Sequence, residues 1–445
     1  MNTDNKNSRR DFVKTSAMLT GGAMAMPFLS KANFFSGADD TIKVALVGCG
    51  GRGTGAALQA CLSKQNVKLV ALADAFRDRV DSCYKTLMKD DLSDWTGNAG
   101  NIKNKIDVPE ERKYTGFDAY KKAMAHADVV ILTTPPGFRP MHFEEAVNTG
   151  KHVFMEKPVA TDPAGIKKVL DAAEIAKQKK LNVVVGLQRH YQNSYRELYA
   201  KKDLIGDITS AQAWWNNDGV WVNARKDGQT EMEYQMRNWY YFNWLCGDHI
   251  TEQHIHNIDV VNWFKGSYPV KAQGMGGREV RKGKDHGEIY DHHYVEFHYA
   301  DGSILNSQCR HIPGTMSKVD ELLIGTKGKI FCGAAHIKDH SGKVLFQFDK
   351  QKENDPYQAE HDELFAAIAK GEYKFSDTEN GAMSTMTSIL GRMATYSGKI
   401  MDWDKTIASG ISIMPTEFDW NALPPVLPDE KGFYPIAKPG VTKYF

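Results

Sequence analysis

The chain has 445 residues, of which 42% are hydrophobic and 25% charged, and its formal net charge is +1. These values are typical of a globular protein with two or three domains. Because lysines and arginines are scattered and do not form a stripe, the charge argues against a nucleic-acid partner and favours a small-molecule ligand.

The first 38 residues have the layout of an export leader. The sequence SRRDFVK, at residues 8–14, precedes a short apolar run, TSAMLTGGAMAMPFL, and then SKA. Arg9 and Arg10, followed by Phe12, resemble a twin-arginine export signal. The apolar run is shorter than the ~20 residues of a membrane span, and a non-cleaved anchor is the alternative. We therefore expect residues 1–38 to engage the twin-arginine translocase and direct the protein to the periplasm.

The six cysteines include no CxxC pair, so neither a zinc ribbon nor a redox dithiol is predicted. An oxidising compartment permits disulfides, but a chain that folds before export does not depend on them. Export in the folded state also suits a protein that acquires a bound cofactor in the cytoplasm.

A glycine-rich turn follows the first predicted strand. In TIKVALVGCGGRGTGAALQACL, an apolar run enters the turn and a small-residue helix leaves it, which gives the G-x-G-x-x-G pattern of dinucleotide binding. Backbone amides at the start of that helix would meet the pyrophosphate. The predicted cofactor-binding residues of this turn are Gly48, Gly50, Gly51, Arg52 and Gly53.

The second predicted strand, VKLVALAD, ends at Asp74, twenty-one residues after Gly53. An acid at this point hydrogen bonds a ribose 2′-hydroxyl and repels a 2′-phosphate, so NAD is the expected cofactor. Arg77 keeps NADP open as the less favoured alternative, because an arginine there can pair with the phosphate.

Strands and helices continue to alternate up to NVVVGLQRH, which predicts a doubly wound parallel sheet over residues 39–188. The polar stretch 90–115 is the exception and is predicted to be an inserted surface excursion. Ligands of such sheets bind beyond the carboxyl ends of the strands. Further cofactor-binding residues predicted at those ends are Thr133, Pro135, Glu156 and Lys157.

The periodicity then changes to that of antiparallel strands. Alternation in DITSAQAWWN, in HHYVEFHYADGSILNSQCRH and in DELLIGTKGKIFCG predicts a large, mostly antiparallel sheet. We expect residues 189–375 to form an α+β substrate and catalytic domain. Residues 376–445 are expected to supply a C-terminal helix and a tail that pack back on the two domains.

Six motifs occur in the order seen in the Gfo/Idh/MocA family of NAD(P)-dependent oxidoreductases. They are KVALVGCGGRG, HVFMEKPVA, LNVVVGLQRHY, GDHITEQHIHNIDVVNWF, AEHDELFAAIAKGE and SILGRMATYSGKIMDWD. The resemblance extends from about Ile42 to Asp404, and the family includes glucose–fructose oxidoreductase and inositol 2-dehydrogenase. It implies a Rossmann domain, an α+β domain and oxidation of a CH–OH group of a sugar, sugar alcohol or glycoside.

In that family the lysine of Glu-Lys-Pro and a D-x-G-x-H helix motif line the cleft between nicotinamide and sugar. Lys157 matches the lysine, and His256 takes the position of the catalytic histidine. Glu252 and His254 replace the usual aspartate and glycine. Imidazole near neutral pH can accept the hydroxyl proton, and a lysine can stabilise the alkoxide that develops. Glu252, four residues before His256, would orient the imidazole from the same helical face.

The spacing of His249, Glu252 and His256 would also suit a divalent metal. We predict no metal, because a hydride-transferring enzyme already has its electron acceptor and the resemblance implies none. His249 and His254 are instead placed among the substrate-binding candidates, with a structural role as the alternative for His254.

Other substrate-binding candidates lie just past a strand end and within a tryptophan-rich segment. Arg189, His190 and Tyr191 would reach substrate hydroxyls, and Trp214 would stack on a sugar face. The alternatives are a surface turn for the first three and core packing for the tryptophan.

Export implies that the cofactor is tightly held and recycled on the enzyme. Hydride could pass from one sugar to another acceptor, with C3 as one candidate position. The alternative is a redox-neutral, NAD-dependent glycoside hydrolase that oxidises its substrate transiently, eliminates the aglycone and returns the hydride. We also expect a homo-oligomer that associates through the open face of the C-terminal sheet.

Overall fold

The computed structural model describes residues 41–97 and 100–444. The predicted leader, residues 1–38, lies outside the described residues. Across the described ranges, none of the helices is long and apolar enough to span a membrane. All six cysteines are buried and free.

The first sheet has six parallel strands in the order β3-β2-β1-β4-β5-β6, which is the order of a dinucleotide-binding Rossmann domain. Its strands are Ile42–Val47 (β1), Val67–Asp74 (β2), Lys113–Thr115 (β3), Val129–Leu132 (β4), His152–Met155 (β5) and Val183–Val185 (β6). Its helices are Gly51–Leu62 (α1), Arg77–Leu87 (α2), Ser93–Thr96 (α3), Ala119–Met124 (α4), Arg139–Asn148 (α5) and Pro163–Gln178 (α6). The inner strands are apolar throughout because helices cover both faces of the sheet.

The segment 90–115 is more than the surface excursion that we expected. Its last three residues form β3, which pairs in parallel with β2 at the sheet edge. Ile102 and Val108 are buried in the core beside it. A three-residue edge strand is too short to produce a recognisable alternation, so the sequence pattern does not reveal it.

The second sheet has nine strands in the order β14-β13-β12-β11-β7-β10-β9-β8-β15, and only β7 and β10 pair in parallel. Its strands are Ile208–Asn217 (β7), Lys271–Gly277 (β8), His292–His298 (β9), Ile304–His311 (β10), Lys318–Gly325 (β11), Gly328–Phe331 (β12), His336–Asp339 (β13), Val344–Gln347 (β14) and Met401–Asp402 (β15). The three segments in which alternation predicted strands all lie in this sheet, so the predicted fold class is confirmed.

The helices of the second half are Asn193–Ala200 (α7), Glu231–Arg237 (α8), Asn243–Cys246 (α9), His249–Glu252 (α10), Ile255–Lys265 (α11), Pro356–Ala369 (α12), Thr378–Ser397 (α13) and Trp403–Ala408 (α14). Helices α10, α11 and α13 pack on one face of this sheet, and the strands alternate buried and partly exposed residues accordingly. Each fully buried large apolar side chain in this layer stabilises the fold by about 1.5–3 kcal/mol.

The last long helix and the tail contact elements of both halves. Helix α13 is buried over most of its length and packs against α6 and β8. In the tail, the Trp420 ring lies 5.1 Å from the ring of Phe76 and 4.6 Å from the ring of Phe117, centroid to centroid. Both phenylalanines follow strands of the first sheet, so the tail packs beside the carboxyl ends of those strands.

The stretch that carries Glu252 and His256 is not one continuous helix. Helix α10 ends at Glu252 and α11 begins at Ile255. Between them, the amide of His254 donates to the carbonyl oxygen of His249 over 3.1 Å, a wider turn than an α-helix makes. The four-residue spacing of Glu252 and His256 therefore does not place them on one helical face.

Candidate active site

A cavity of about 680 Å³ lies at the carboxyl ends of the parallel strands and extends to the second domain. This is where open α/β sheets bind their ligands. The structure brings to this cavity every predicted cofactor-binding residue: Gly48, Gly50, Gly51, Arg52, Gly53, Asp74, Thr133, Pro135, Glu156 and Lys157. Glu252 and His256 reach the same cavity from the second domain.

The glycine turn forms a cradle that fits a pyrophosphate. A Cβ on Gly53 would lie 1.9 Å from the carbonyl oxygen of Gly48, so the helix can approach the strand only with glycine there. A Cβ on Gly50 would meet no protein atom within 4 Å and would project into open space at the cavity wall. Helix α1 starts at the next residue, Gly51, and its first amides have no partner within the helix. The turn thus offers both the room and the donors that a dinucleotide needs.

Asp74, the last residue of β2, lies in the same cavity beside this cradle. One of its oxygens accepts from the Cys49 amide over 2.7 Å and the other accepts from the Phe76 amide over 3.0 Å. These contacts fix the carboxylate at the strand end that faces the cavity. Burial raises its pKa above the ordinary value, and the two amide hydrogen bonds oppose that shift.

Arg77, on which the alternative prediction of NADP as the cofactor rested, lies outside the cavity lining. Its guanidinium pairs with Asp81 and with Glu110 on the protein surface. Arg79 is the arginine of this helix that lines the cavity.

Arg52 joins the glycine turn to acids from both domains. Its Nε donates to Oε1 of Glu156 over 2.5 Å, and its Nη2 donates to Oε1 of Glu360, on α12, over 3.3 Å. Burial opposes the guanidinium charge, but the two acids outweigh burial and raise the pKa of Arg52. Glu360 was not among the predicted residues, because nothing near it in the sequence shows that α12 packs against α1.

Lys157 is held by Glu252 through two hydrogen bonds. Its Nζ donates to the carbonyl oxygen of Glu252 over 2.6 Å and to Oε1 of the same residue over 3.0 Å. Burial raises the pKa of Glu252, and the charge of Lys157 opposes that rise. The expectation that Glu252 orients His256 is therefore corrected: its carboxylate contacts Lys157, and no hydrogen bond joins Glu252 to His256 within the described residues.

His256 lies at the same end of the cavity, with its ring stacked on Trp215 at a centroid distance of 6.0 Å. Its Nδ1 has no hydrogen-bond partner within the described part of the chain. Burial, followed by the positive charges of Lys157 and Arg189, lowers the pKa of His256 well below its ordinary value. The ring is therefore neutral near pH 7.

The three candidates after β6 turn away from the cavity. Arg189 pairs with buried Glu321, and His190 Nε2 lies 2.7 Å from Oδ2 of Asp259. The Tyr191 hydroxyl donates to Asp377 over 2.7 Å. None of the three lines the cavity. Each side chain instead contacts an acid that lies more than 60 positions away in sequence.

Three other substrate-binding candidates are also absent from the lining. Trp214 packs beneath Lys318, whose Nζ lies 3.3 Å from the centre of a Trp214 ring, on the face of β7 opposite to Trp215. His254 Nε2 contacts Ser307 Oγ over 2.7 Å, and His249 Nδ1 contacts Asp248 over 2.8 Å. With His249 turned away, the metal arrangement His249–Glu252–His256 is not assembled.

The structure adds lining residues that sequence reasoning missed. One signal was available: alternation along β7 allowed either Trp214 or Trp215 to face the cavity, and Trp215 does. The others come from loops, α8 and α12, and include Gln188, Asn223, Met236, Gln253 and Tyr357. Trp221 and Trp239, which belong to the tryptophan-rich segment, also line the cavity.

Comparison with known proteins agrees with the geometry of the first domain. Residues 42–187 match the GFO_IDH_MocA model, described as an oxidoreductase family with an NAD-binding Rossmann fold. An inositol 2-dehydrogenase of Gluconacetobacter diazotrophicus is 31% identical over 173 residues, which are 38% of this chain and 45% of that protein. The chain spans about half the length of the curated relatives that it matches.

Solved structures with the same fold cover most of the chain. The scyllo-inositol dehydrogenase of Lactobacillus casei with bound NAD(H) and scyllo-inositol has a TM-score of 0.60 at 19% identity, over 82% of this chain and 100% of that one. The aldose-aldose oxidoreductase of Caulobacter crescentus complexed with glycerol has the same TM-score at 14% identity, over 82% and 100%. At these identities the likeness establishes the fold.

Four observations indicate a dinucleotide-binding domain. They are the strand order, the glycine cradle, Asp74 at the second strand end and the family match over residues 42–187. Residues 42–187 therefore form a Rossmann domain that matches the NAD-binding model of the Gfo/Idh/MocA oxidoreductase family.

Proposed function

We propose that the protein is an NAD-dependent oxidoreductase that acts on a hydroxyl or keto group of a sugar, sugar alcohol or glycoside. One observation carries the proposal: Lys157, Glu252 and His256 meet in the cavity whose other end is the glycine cradle. The names of the relatives support the substrate class, since they include inositol dehydrogenases and an aldose-aldose oxidoreductase.

His256 serves as the base of this reaction. When bound, NAD supplies the hydride acceptor. The neutral His256 ring lines the cavity, and its nitrogen without a hydrogen can take up the proton of a substrate hydroxyl as the carbonyl forms. In the reverse direction the same ring returns the proton.

Lys157 stabilises the oxygen from which that proton leaves. An ammonium group has three hydrogens, and Glu252 takes two of those of Lys157. The third is available to the negative charge that develops on the substrate oxygen. Glu252 fixes the direction of this donor, which makes it a positioning residue rather than a base.

The same end of the cavity suits a ligand with several hydroxyls. Gln188 Oε1 and Trp215 Nε1 are buried and have no hydrogen-bond partner among residues 41–97 and 100–444. Both residues line the cavity. A buried polar atom without a hydrogen bond is costly, and a polyol or sugar would satisfy this acceptor and this donor together.

We extend the proposal to export through the twin-arginine pathway, on the basis of the leader sequence. A periplasmic oxidoreductase needs a tightly held cofactor that is recycled between two substrates. A fractionation experiment with wild type and an Arg9→Lys, Arg10→Lys variant tests this. We expect the wild-type protein in the periplasm and the variant in the cytoplasm. A wild-type protein that stays in the cytoplasm would contradict export and remove the need to recycle the cofactor on the enzyme.

We also propose a homo-oligomer through the open face of the second sheet. Met275 on β8 is 70% exposed there, which is unusual for such a large apolar side chain. The mass in solution, measured by light scattering, tests this: a monomer would contradict it.

The experiment for the reaction combines bound-nucleotide analysis with a panel of polyols, aldoses and glycosides. A keto product with reduced cofactor supports the dehydrogenase, and its regiochemistry shows whether C3 is the position oxidised. Released aglycone without net cofactor change would favour the redox-neutral hydrolase instead. No chemistry with any member of the panel would contradict both.

A further inference from the structure

An ion pair joins the two domains near the acid that is expected to bind the ribose of NAD. Arg237, the last residue of α8 in the second domain, contacts Asp78, in the first turn of α2 in the first domain. Its Nη1 and Nη2 donate to the two carboxylate oxygens of Asp78, each over 3.2 Å. Asp78 follows Asp74 by four residues, so the ion pair lies just beyond the end of β2.

The neighbours of this ion pair line the cavity from both domains. Phe76 and Arg79 flank Asp78 and line it from the first domain, whereas Met236 and Arg237 line it from the second. Asp78 itself is outside the lining and its side chain is 59% exposed, so the ion pair lies at the solvent side of the cavity. A movement that widens the cavity by separating α2 from α8 therefore has to break the pair.

Two further contacts fix the direction of the Arg237 guanidinium. Its Nε donates to Oε1 of Glu233, one turn earlier in α8, over 2.9 Å. Its Cζ lies 3.9 Å from the centre of the Phe76 ring, a distance at which a guanidinium and an aromatic face attract each other. The hydrogen bonds from Arg237 lower the pKa of Asp78, so the carboxylate is ionised at neutral pH. The pair is thus better oriented than an ordinary surface ion pair between two mobile side chains.

The C-terminal tail supports the same ring from the second domain. The Trp420 ring lies 5.1 Å from that of Phe76 and 4.6 Å from that of Phe117, and both phenylalanines line the cavity. The tail is also tied to α8, because Nε2 of buried Gln235 donates to the carbonyl oxygen of Val426 over 2.7 Å. Helix α8 and the tail therefore contact the start of α2 together.

A second ion pair between the domains, Lys157 with Glu252, is much less accessible. The side chains of Lys157 and Glu252 are 12% and 10% exposed, whereas those of Arg237 and Asp78 are 27% and 59% exposed. Water and salt weaken exposed ion pairs more than buried ones. Of these two connections, the one between Asp78 and Arg237 is therefore the one that opens more readily.

We propose that the ion pair between Asp78 and Arg237 is a latch that holds the cavity closed over bound NAD and slows its release. This inference rests on the proposed function, because it takes NAD as the ligand of the cavity. Asp78 acts through Arg237 and is a positioning residue. Slow release is what a cofactor recycled between two substrates requires, since each exchange with solvent would lose it.

The rate of NADH release tests the latch. Protein loaded with NADH is mixed with a large excess of NAD, and the loss of NADH fluorescence gives the rate constant of release. Asp78→Asn keeps the size of the side chain and removes its charge, and it should speed release by about two- to fivefold, as expected for a partly exposed ion pair. Asp81→Asn is the matched control, because this acid lies on the same helix and pairs with Arg77 outside the cavity. It should release NADH at the wild-type rate.

Salt and a double variant show whether the effect belongs to this ion pair. Release from the wild type should accelerate as NaCl is added, and release from Asp78→Asn should respond less, because salt screens exposed charges. Arg237→Gln combined with Asp78→Asn should release NADH no faster than Arg237→Gln alone, since the two residues act through one contact.

Thermal melts without nucleotide verify that each variant folds. Equal release rates for the wild type and folded Asp78→Asn would overturn the latch and leave the proposed function intact. A wild-type protein that binds no NADH in a fluorescence titration would overturn both. If Asp78→Asn fails to fold, the wild type decides, because a release rate that does not change with salt contradicts the latch.

Discussion

Lys157 Nζ lies 2.6 Å from the carbonyl oxygen of Glu252 and 3.0 Å from its carboxylate. The contact joins the end of β5 in the first domain to the end of α10 in the second. It makes the direction of the lysine depend on the break between α10 and α11. The proposed chemistry therefore depends on two residues from different domains that share one hydrogen-bonding unit.

Glu252→Gln keeps the size of the side chain and removes its charge. We expect turnover to fall by about 10²-fold, because Lys157 loses the anion that fixes its position. Steady-state kinetics should show the loss mainly in kcat, with little change in nucleotide affinity. Glu288→Gln is the matched control, since that glutamate accepts from the Asn243 amide away from the cavity; equal turnover of both variants would contradict the assigned role.

His256→Ala should lower turnover by about 10²–10⁴-fold, the usual contribution of a positioned general base. Nucleotide binding should remain, because the glycine cradle lies at the other end of the cavity. Fluorescence titration with NAD measures this nucleotide binding. His126→Ala, an exposed histidine that contacts Tyr114, controls for the loss of an imidazole; turnover unchanged in His256→Ala would refute the base.

Two glycine substitutions should separate cofactor binding from folding. Gly50→Ala adds a methyl group that meets no protein atom, so the thermal midpoint should stay near that of wild type while NAD binding is lost. Gly53→Ala places a methyl group 1.9 Å from the Gly48 carbonyl oxygen and should destabilise the fold itself. Thermal melts with and without NAD distinguish the two, and full NAD affinity in Gly50→Ala would contradict the cradle.

Stability should fall as the pH drops. Burial lowers the pKa of both His142 and His254 to about 3, whereas an unfolded histidine has a pKa of about 6.5. The unfolded chain then binds more protons, so the stability present above pH 6.5 is lost progressively toward the folded pKa, by about 2 kcal/mol per histidine at about pH 5. Urea unfolding between about pH 7 and pH 5 measures this. An equal free energy of unfolding at both ends would contradict it.

Local patterns predicted the parts of the site that are local in sequence. The glycine turn, Asp74 and Lys157 follow directly from strands whose ends are visible as the limits of apolar runs. The orientation of Glu252 did not follow, because the helix breaks where the residue pattern suggests continuity. Arg189 was assigned to substrate because its partner, Glu321, lies on a strand far along the chain and no local signal connects them.

The tryptophans show the limit of alternation. In β7 two adjacent tryptophans face opposite sides of the sheet, and only the pairing with β10 and β11 decides which one reaches the cavity. A shift of one residue exchanges the two faces. The sequence thus predicted a tryptophan at the substrate site but not that Trp215, rather than Trp214, would line the cavity.

The most direct test of the central claim follows a hydride. The protein with bound NAD is incubated with polyols and sugars that carry deuterium at the carbinol carbons, and the nicotinamide is analysed by mass spectrometry. We predict that deuterium from one carbon appears on the nicotinamide of wild type, with a keto product, and that His256→Ala transfers far less. Unlabelled nicotinamide with every substrate would contradict the account.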